Sequence, residues 1–576
     1  MTSQPRNICE LFQATADKHA DEPALRSADT GESLTWREYR ARVEHLAGKL
    51  AALGVAHGDT VALMMTNRIE FHVADAACLH LGAIPFSVYN TSSTEQVAHL
   101  FANAGNRLVV CEGQFRSTID AAAAGSSVEQ VLEVETDLPR LFAEAAEDID
   151  IAARWRAVSP NDVLTIIYTS GTTGPSKGVE LTHGNALYSI ETALAVPRVV
   201  AATDRGRGVS YLPDAHIANR WVSHYIPMGT GVETVTVANM KEIAAILPEV
   251  QPTVFAGVPT LWYKLKAGIE DAVAKESGLR GRLVRWGLRV GETHARAAAA
   301  GEVGVRLAIA HRVAERLILA SLRRRIGMGQ IVAAVSGAAP ISVDVLHFVQ
   351  GLGIPVAEAW AMSETCNIGT LTPYDDIRAG TVGTALPGVE LRLAEDGELL
   401  LRSPGVMRGY RNDPARTAEA VDAAGWLHTG DIATIDPDGY VTIVDRKKEI
   451  IINAAGKNMS PANIEGAIRV ESSIIDTVVA IGDRRPYVTA LVVIDREAAQ
   501  ARGLAGTEIQ TEIQGAVDRA NAHLSRVEQV KSFTIVDGPW QPGGDELTPT
   551  LKLKRGPIAD KYAADIDALY PGVPVG

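Results

Sequence analysis

The feature that most narrows the fold is an alternation, through the first 255 residues, of short apolar runs with segments patterned at helical spacing. Residues 34–53 set Tyr39, Val43, Leu46 and Leu50 on one helical stripe, then pass through Gly58 and Asp59 into the apolar run 61–65, which predicts helix, turn and strand. Residues 71–81 predict a helix, 82–88 a strand, 93–101 a helix and 107–111 a strand. The alternation resumes with strands at 209–212, 231–237 and 253–255. Strands joined by helices form parallel sheets covered on both faces, so the chain reads as α/β. At 576 residues, 46% hydrophobic and 22% charged, it is soluble in composition and too long for one core.

Residues 265–326 change pattern to a long helical insert, Ala-rich, with eleven arginines between Arg280 and Arg325. Two arrangements suit it. The stretch 306–325 can lie on a membrane surface with Leu307, Ile309, Val313, Leu317 and Leu322 toward lipid, or pack on the domain with its arginines solvated. Strands follow at 331–335 and 353–358, then turns and strands from 388 to 444 predict a small antiparallel section. Beyond Asp445 the pattern is α+β, with strands near Ile450 and at 475–481, 488–494 and 530–535, and helices at 461–470 and 513–524. We therefore expect a large N-terminal domain, 1–444, and a smaller α+β domain, 445–576.

The formal net charge of −14 excludes a phosphate-backbone binder, which needs a basic surface. Cys9, Cys78, Cys111 and Cys366 are scattered without metal or disulfide spacing. A reducing, cytoplasmic setting fits. Neither a signal-type apolar core near the start nor a run of about 18 apolar residues occurs, so export and membrane spanning are not expected.

Behind the apolar run 163–168 comes a loop with the composition of an anion cradle. Gly171, Gly174 and Gly178 let an anion approach the main chain, Thr169, Ser170, Thr172, Thr173 and Ser176 supply hydroxyls, and Lys177 supplies a compact charge. The spacing is not that of a P-loop hydrolase. Further segments stand out: the small-residue turn from Ser336 through Gly337 and Ala338, suited to close approach of a flat base to the backbone, the run Trp360, Ala361, Met362, Ser363, Glu364, and the run Gly425 to Asp431.

Together these motifs resemble, in order and along nearly the whole chain, those of the adenylate-forming superfamily. The Thr548-to-Arg555 ending and the helical insert look most like its long-chain fatty acyl-CoA synthetases. The resemblance implies a large domain of parallel sheets with helices on both faces plus a small antiparallel section, and a mobile α+β C-terminal domain rotating about Asp445. It implies that Thr169, Ser170, Gly171, Thr172, Thr173, Gly174 and Lys177 hold phosphates, that Gly337 and Ala338 line the base, and that Trp360 stacks on adenine. Ser363 would touch the α-phosphate, Glu364 would hold Mg²⁺, Asp431 would bind the ribose and Arg446 would contact ribose or phosphate. Lys552 would be the catalytic lysine, with Lys554 as the alternative; Gly456 would line the CoA tunnel, and His216 and Trp221 the acid pocket. Trp360 stands for the usual Tyr, Ala361 for Gly, Leu551 for Gly and Asn219 for Glu. ATP, Mg²⁺ and CoA are the implied cofactors and a fatty acid the substrate; an oligomer is compatible with the chain. A ligase loading a carrier protein, or a silent lipid or nucleotide binder, are the alternative readings.

Overall fold

The computed structural model describes residues 4–169, 175–453, 457–541, 543–548 and 552–571. A four-stranded parallel sheet runs in the order Ile84–Ser87, Thr60–Met64, Leu108–Cys111, Gln130–Glu133. The expected helices lie between its strands: Ile69–His80, and Thr94–Ala104, where the Ser93 hydroxyl accepts from the Gln96 amide and the Gln96 side chain returns the bond. That reciprocal cap satisfies amides that a helix start otherwise leaves unpaired. Trp36–Ala52 begins the same way at Thr35 and Glu38.

A second sheet places Glu233–Thr236 in parallel between Arg207–Ser210 and Pro23–Ser27, with Ser33–Thr35 antiparallel at the edge. A third is parallel through Val254–Gly257, Ala333–Ser336 and Val356–Trp360, then antiparallel through Thr370–Leu371 and Thr384–Ala385. The antiparallel section after residue 388 is a four-stranded sheet, Glu390–Leu393, Glu398–Arg402, Leu427–Ile435 and Val441–Arg446.

The strand before the glycine-rich loop is observed as Val163–Thr169, but its partner differs from that of a parallel nucleotide fold. It returns antiparallel as Lys177–Thr182, with Tyr168 opposite Gly178 and Thr169 opposite Lys177. The loop therefore joins two arms of a hairpin. Gly178 is required in that pairing, because a Cβ there would lie 2.8 Å from Ile166 and 3.0 Å from the Tyr168 ring.

The insert is three helices, Pro259–Lys275, Gly278–Ala299 and Val305–Ala314, the last continuing through the wide turn Glu315–Leu319 into Ala320–Arg325. Gly278–Ala299 docks by small residues: Gly281, Gly287, Gly291 and Ala295 are buried, and a Cβ on Gly291 would come 2.2 Å from the Gly351 carbonyl oxygen. The next helix keeps an apolar face outward. Val305, Ile309, Val313 and Leu317, four residues apart, are 77%, 57%, 44% and 62% exposed. Leu307 and Leu322, expected on that face, are half-buried instead, Leu322 against the core of the third sheet. The five-residue turn at 315–319 rotates the later residues relative to a regular helix.

Residues 451–570 bury two cores of their own, one around Ile464, Val478, Val492 and Val517, the other around Leu491, Trp540, Ile558 and Tyr570. They cover the sheet Ile475–Ile481, Val488–Ile494, Val530–Val536, whose last pair is parallel.

One ionic cluster lies inside the N-terminal core. Asp75 and Arg220 are fully buried and paired, His224 Nε2 meets the other Asp75 oxygen at 2.9 Å, and His72 Nδ1 lies 2.9 Å from His224 Nδ1. Arg220 also donates to Tyr225 Oη and Ser87 Oγ, at 2.8 and 2.9 Å. Asp75→Ala leaves that guanidinium buried without its counter-charge, which costs about 3–5 kcal/mol. Urea unfolding should show a loss of that size, and a change below about 1 kcal/mol would show that the arginine finds water or another anion.

Candidate active site

The register of two antiparallel strands assembles the centre of the site. In the pair Leu427–Ile435 and Val441–Arg446, Asp431 stands opposite Arg446 and Ile432 opposite Asp445. Arg446 Nε reaches Asp431 Oδ1 at 2.7 Å, and the Trp360 indole Nε1 donates to Asp431 Oδ2 at 2.7 Å. Asp431 is 3% exposed, and burial raises its carboxyl pKa while Arg446 and the Trp360 hydrogen bond oppose the shift.

Glu364 sits in the one-turn helix Ser363–Thr365 that follows Trp360. Its Oε1 accepts the Tyr410 hydroxyl at 2.9 Å, and its carbonyl accepts the Met407 amide at 2.8 Å. Lys177 Nζ lies over the Tyr410 ring, 5.0 Å from its centre, so Tyr410 joins the loop lysine to Glu364. Tyr410 reaches this place because Gly409–Tyr410 pairs with the hairpin arm Lys177–Thr182. Sequence reasoning missed it: a lone tyrosine more than 230 residues from the loop carries no local motif.

Gly337 and Ala338 follow the strand Ala333–Ser336, and Ala338 has φ +70, a left-handed conformation that a residue with a Cβ rarely adopts. Ser363 is half-buried at the start of its turn. Of the loop residues, Thr169 ends its strand, whereas Ser170, Gly171, Thr172, Thr173 and Gly174 lie outside the described residues, as does Gly456.

Lys552 arrives from the far end of the chain. Leu547 and Leu553 pair antiparallel, the Thr548 amide donates to the Lys552 carbonyl at 2.8 Å, and the Lys552 amide donates to Thr548 Oγ1 at 3.0 Å. The residue is reached by solvent along its length, yet its ammonium group is crowded by protein. That desolvation, helped by the Arg446 charge, lowers its pKa below the ordinary lysine value, while Asp431, Glu364 and Glu449 act in the opposite sense. Lys554 points elsewhere, its Nζ donating to the Gly544 carbonyl at 2.7 Å.

His216 opens the short helix Ile217–Arg220, accepting the Ala218 amide at Nδ1 (3.1 Å), which leaves the neutral ring's proton on Nε2. Burial, with the Lys552 charge adding to it, pushes its pKa down to about 4. The Lys552 charge is thus near enough to act on His216. Asn219, at the position of the family's glutamate, donates to Asp214 Oδ1 at 2.7 Å and to Ser210 Oγ at 3.0 Å. Asp214 is buried and its carboxyl is pushed up to about 8, so an amide is the better neighbour for it than a second acid. Trp221 begins the wide turn Trp221–Tyr225, hydrogen-bonds Ser189 Oγ through its indole nitrogen and packs against Trp360's cluster.

Asp445 is 7% exposed. Its Oδ2 accepts the Ser460 hydroxyl at 2.5 Å and its Oδ1 the Arg446 amide at 2.7 Å, so it ties the antiparallel sheet to the helix Pro461–Arg469 that Ser460 caps. Lys447 bridges back to Asp396 and Glu398, at 2.5 and 3.1 Å.

A buried carboxylate held by two donors, a lysine and an acid near a glycine-rich hairpin, and a second lysine delivered from the C-terminal end define a nucleotide-handling centre. The chain belongs to the family of AMP-binding enzymes: that family's model matches residues 12–411, and the model of the AMP-binding enzyme C-terminal domain matches 448–573. The chain is 34% identical over 564 residues to the long-chain-fatty-acid--CoA ligase FadD15 of Mycobacterium bovis, covering 93% of this chain and 92% of that one. It is 48% identical over 448 residues to fadD11 of Mycobacterium tuberculosis, provisionally named a fatty-acid--CoA ligase, covering 75% and 78%. Among solved structures, the O-succinylbenzoate coenzyme A synthetase of Bacillus subtilis in complex with AMP has the same fold, with a TM-score of 0.71, 20% identity, and coverage of 96% and 98%.

Because Lys552 titrates below an ordinary lysine and Arg446 contributes to that, the alkaline limb of pyrophosphate release should lie below about pH 10.4. In Arg446→Gln the limb should move to higher pH. A limb left in place would separate the two charges.

Proposed function

We propose that this chain is an AMP-forming long-chain fatty acid:CoA ligase, built as domain 1–444 and a domain 445–576 that turns about Asp445. It activates the fatty carboxylate with ATP and passes the acyl group to CoA. The observation that supports this best is that Lys552 lies within electrostatic reach of Glu364, Asp431, Arg446 and His216, groups from different segments of the chain, with Asp431 and Arg446 paired at 2.7 Å. A carrier-protein ligase or a silent binder is not favoured, since the relatives are named as CoA ligases and Lys177, Glu364, Asp431, Arg446 and Lys552 are kept.

In the first half-reaction a carboxylate oxygen attacks the α-phosphorus of ATP, the bond to the bridging oxygen of the β-phosphate breaks, and pyrophosphate leaves. Lys177 and the hairpin loop, from Thr169 through Ser170, Gly171, Thr172, Thr173 and Gly174, hold the β- and γ-phosphates. Lys552 bridges the fatty carboxylate and the crowded α-phosphate, where negative charge gathers. Asp431 receives the ribose hydroxyls with Arg446 beside it, Gly337 and Ala338 border the base, and Ser363 meets the α-phosphate. Glu364 fits Mg²⁺: it is a hard oxygen donor whose Oε1 takes one hydroxyl while Oε2 takes no hydrogen bond among the described residues. The metal, when bound, offsets phosphate charge. His216, neutral at physiological pH, adds no competing cation beside the carboxylate, and Trp221 walls the acyl pocket.

In the second half-reaction the CoA sulfur attacks the acyl carbonyl carbon, the carbon–oxygen bond to AMP breaks, and AMP leaves as the thiol proton is given up. The small domain turns about Asp445 to remove Lys552 and bring the Gly456 loop to the pantetheine arm. That turn must break the Lys447 bridges to Asp396 and Glu398, which hold the hinge segment in the present arrangement.

The protein is read as cytoplasmic, meeting the inner face of the membrane through its insert. No helix among the described residues is long and apolar enough to cross a bilayer. The exposed stripe Val305, Ile309, Val313 and Leu317 runs beside Arg306, Arg312 and Arg316, which make no ion pair among the described residues. An apolar stripe flanked by unpaired cations suits an anionic lipid surface, from which a fatty acid is drawn.

Purified protein with MgATP and palmitate should release pyrophosphate, and palmitoyl-CoA should form only when CoA is added; acyl-AMP that persists with CoA present would point to a carrier-protein acceptor. Lys552→Ala should lose about 10²- to 10³-fold in pyrophosphate release while still making thioester from supplied acyl-AMP. Equal loss of both steps would count against the lysine's assignment. The protein should co-sediment with phosphatidylglycerol vesicles more than with phosphatidylcholine vesicles, and the double variant Ile309→Asp, Leu317→Asp should abolish the difference. Undiminished binding would exclude this helix as the contact.

A further inference from the structure

Trp360 ends the strand Val356–Trp360, opposite Thr370. Its indole is 9% exposed and packed in a core with Ile368, Val389, Leu401 and Val441. On one side the backbone just before the next strand lies against the six-membered ring, since a Cβ on Gly369 would come 2.9 Å from Cε3. Its polar atom is committed: the indole N–H donates to Asp431 Oδ2 at 2.7 Å, while Arg446 Nε holds Oδ1 at 2.7 Å. A phenol in the same place carries its donor at the far end of the ring and a phenyl carries none, so this bond belongs to the tryptophan of this chain.

We propose that Trp360 is a positioning residue for sugar recognition: its N–H, with Arg446, fixes the plane of the Asp431 carboxylate against the vicinal hydroxyls of the ATP ribose, and so sets the preference for ribonucleotide over deoxyribonucleotide. The inference rests on the reading of Asp431 as the ribose contact. A carboxylate held at both oxygens has already given up the torsional freedom that binding would otherwise remove, and its remaining lone pairs point one way. Arg446 holds it less firmly, because its side chain is 47% exposed and an ion pair open to water is weakened by solvent screening. The buried bond to the indole is the fixed one.

The test compares kcat/KM for ATP and for 2′-deoxy-ATP in pyrophosphate release by the full-length protein, its Trp360→Phe and Trp360→Tyr variants, and Asp431→Asn. Both aromatic variants keep a ring in the core and remove the indole N–H. We expect the ATP value to fall on the order of tenfold, the scale of one hydrogen bond to a charged group, and the deoxy value to fall far less. The ribo-to-deoxy ratio therefore shrinks about fivefold to tenfold. A ring acting only by stacking or packing would lower both nucleotides alike and leave the ratio unmoved. If Asp431→Asn collapses the ratio while both Trp360 variants preserve it, the tether is overturned. If Asp431→Asn leaves the ratio intact, the ribose reading itself fails and the proposal falls with it.

Discussion

The site depends on the pairing of two strands in one antiparallel sheet. The register that puts Asp431 opposite Arg446 puts Ile432 opposite Asp445, so the carboxylate at the centre and Asp445 are fixed by the same ladder of backbone hydrogen bonds. A slip of one residue would turn Asp431 away from Trp360 and send Asp445 away from Ser460. The sheet is antiparallel and buried on one face, through Leu399, Leu401, Ala433 and Val441, and that alternation locks the register.

Around that ladder, each functional group is brought by a different structural device. Lys177 comes on a hairpin arm, Glu364 on a single helical turn after a parallel strand, His216 at a helix start, and Lys552 on a returning strand bridge. None of these segments is near another in sequence. Their charges act on one another across the site: burial and Arg446 depress Lys552, Lys552 adds to the burial that depresses His216, and Arg446, the Trp360 hydrogen bond and Lys552 restrain the rise of Asp431. Such reciprocal shifts mark groups that share one desolvated space.

Much of this was legible from residues alone because the signals were local. Period-two and period-3.6 patterns place most strands and helices within a few residues, and Ser93 and Thr35 mark helix starts through their capping boxes. The order of motifs led to Glu364, Asp431, Arg446 and Lys552. What escaped was set by contacts remote in sequence. Tyr410 gains its role only through pairing with the hairpin, the direction of that hairpin is a matter of sheet topology, and the Trp360 bond to Asp431 spans 71 residues. Leu322 looks like its exposed apolar neighbours until the wide turn at 315–319 rotates it, half-buried, against the core. Asn219, a departure from the family pattern, becomes intelligible once Asp214 is seen buried beside it.

The most direct test of the central claim follows one oxygen atom. With palmitate labelled by ¹⁸O in both carboxylate positions and unlabelled ATP, attack of the carboxylate on the α-phosphorus leaves one labelled oxygen bridging acyl group and phosphate. Transfer of the acyl carbon to CoA then leaves that oxygen on AMP, so mass spectrometry should find one ¹⁸O per AMP formed and none in pyrophosphate. Unlabelled AMP, or label recovered in inorganic phosphate with ADP as the nucleotide product, would contradict an acyl-adenylate and with it the arrangement of Lys552, Glu364 and Asp431 around the α-phosphate.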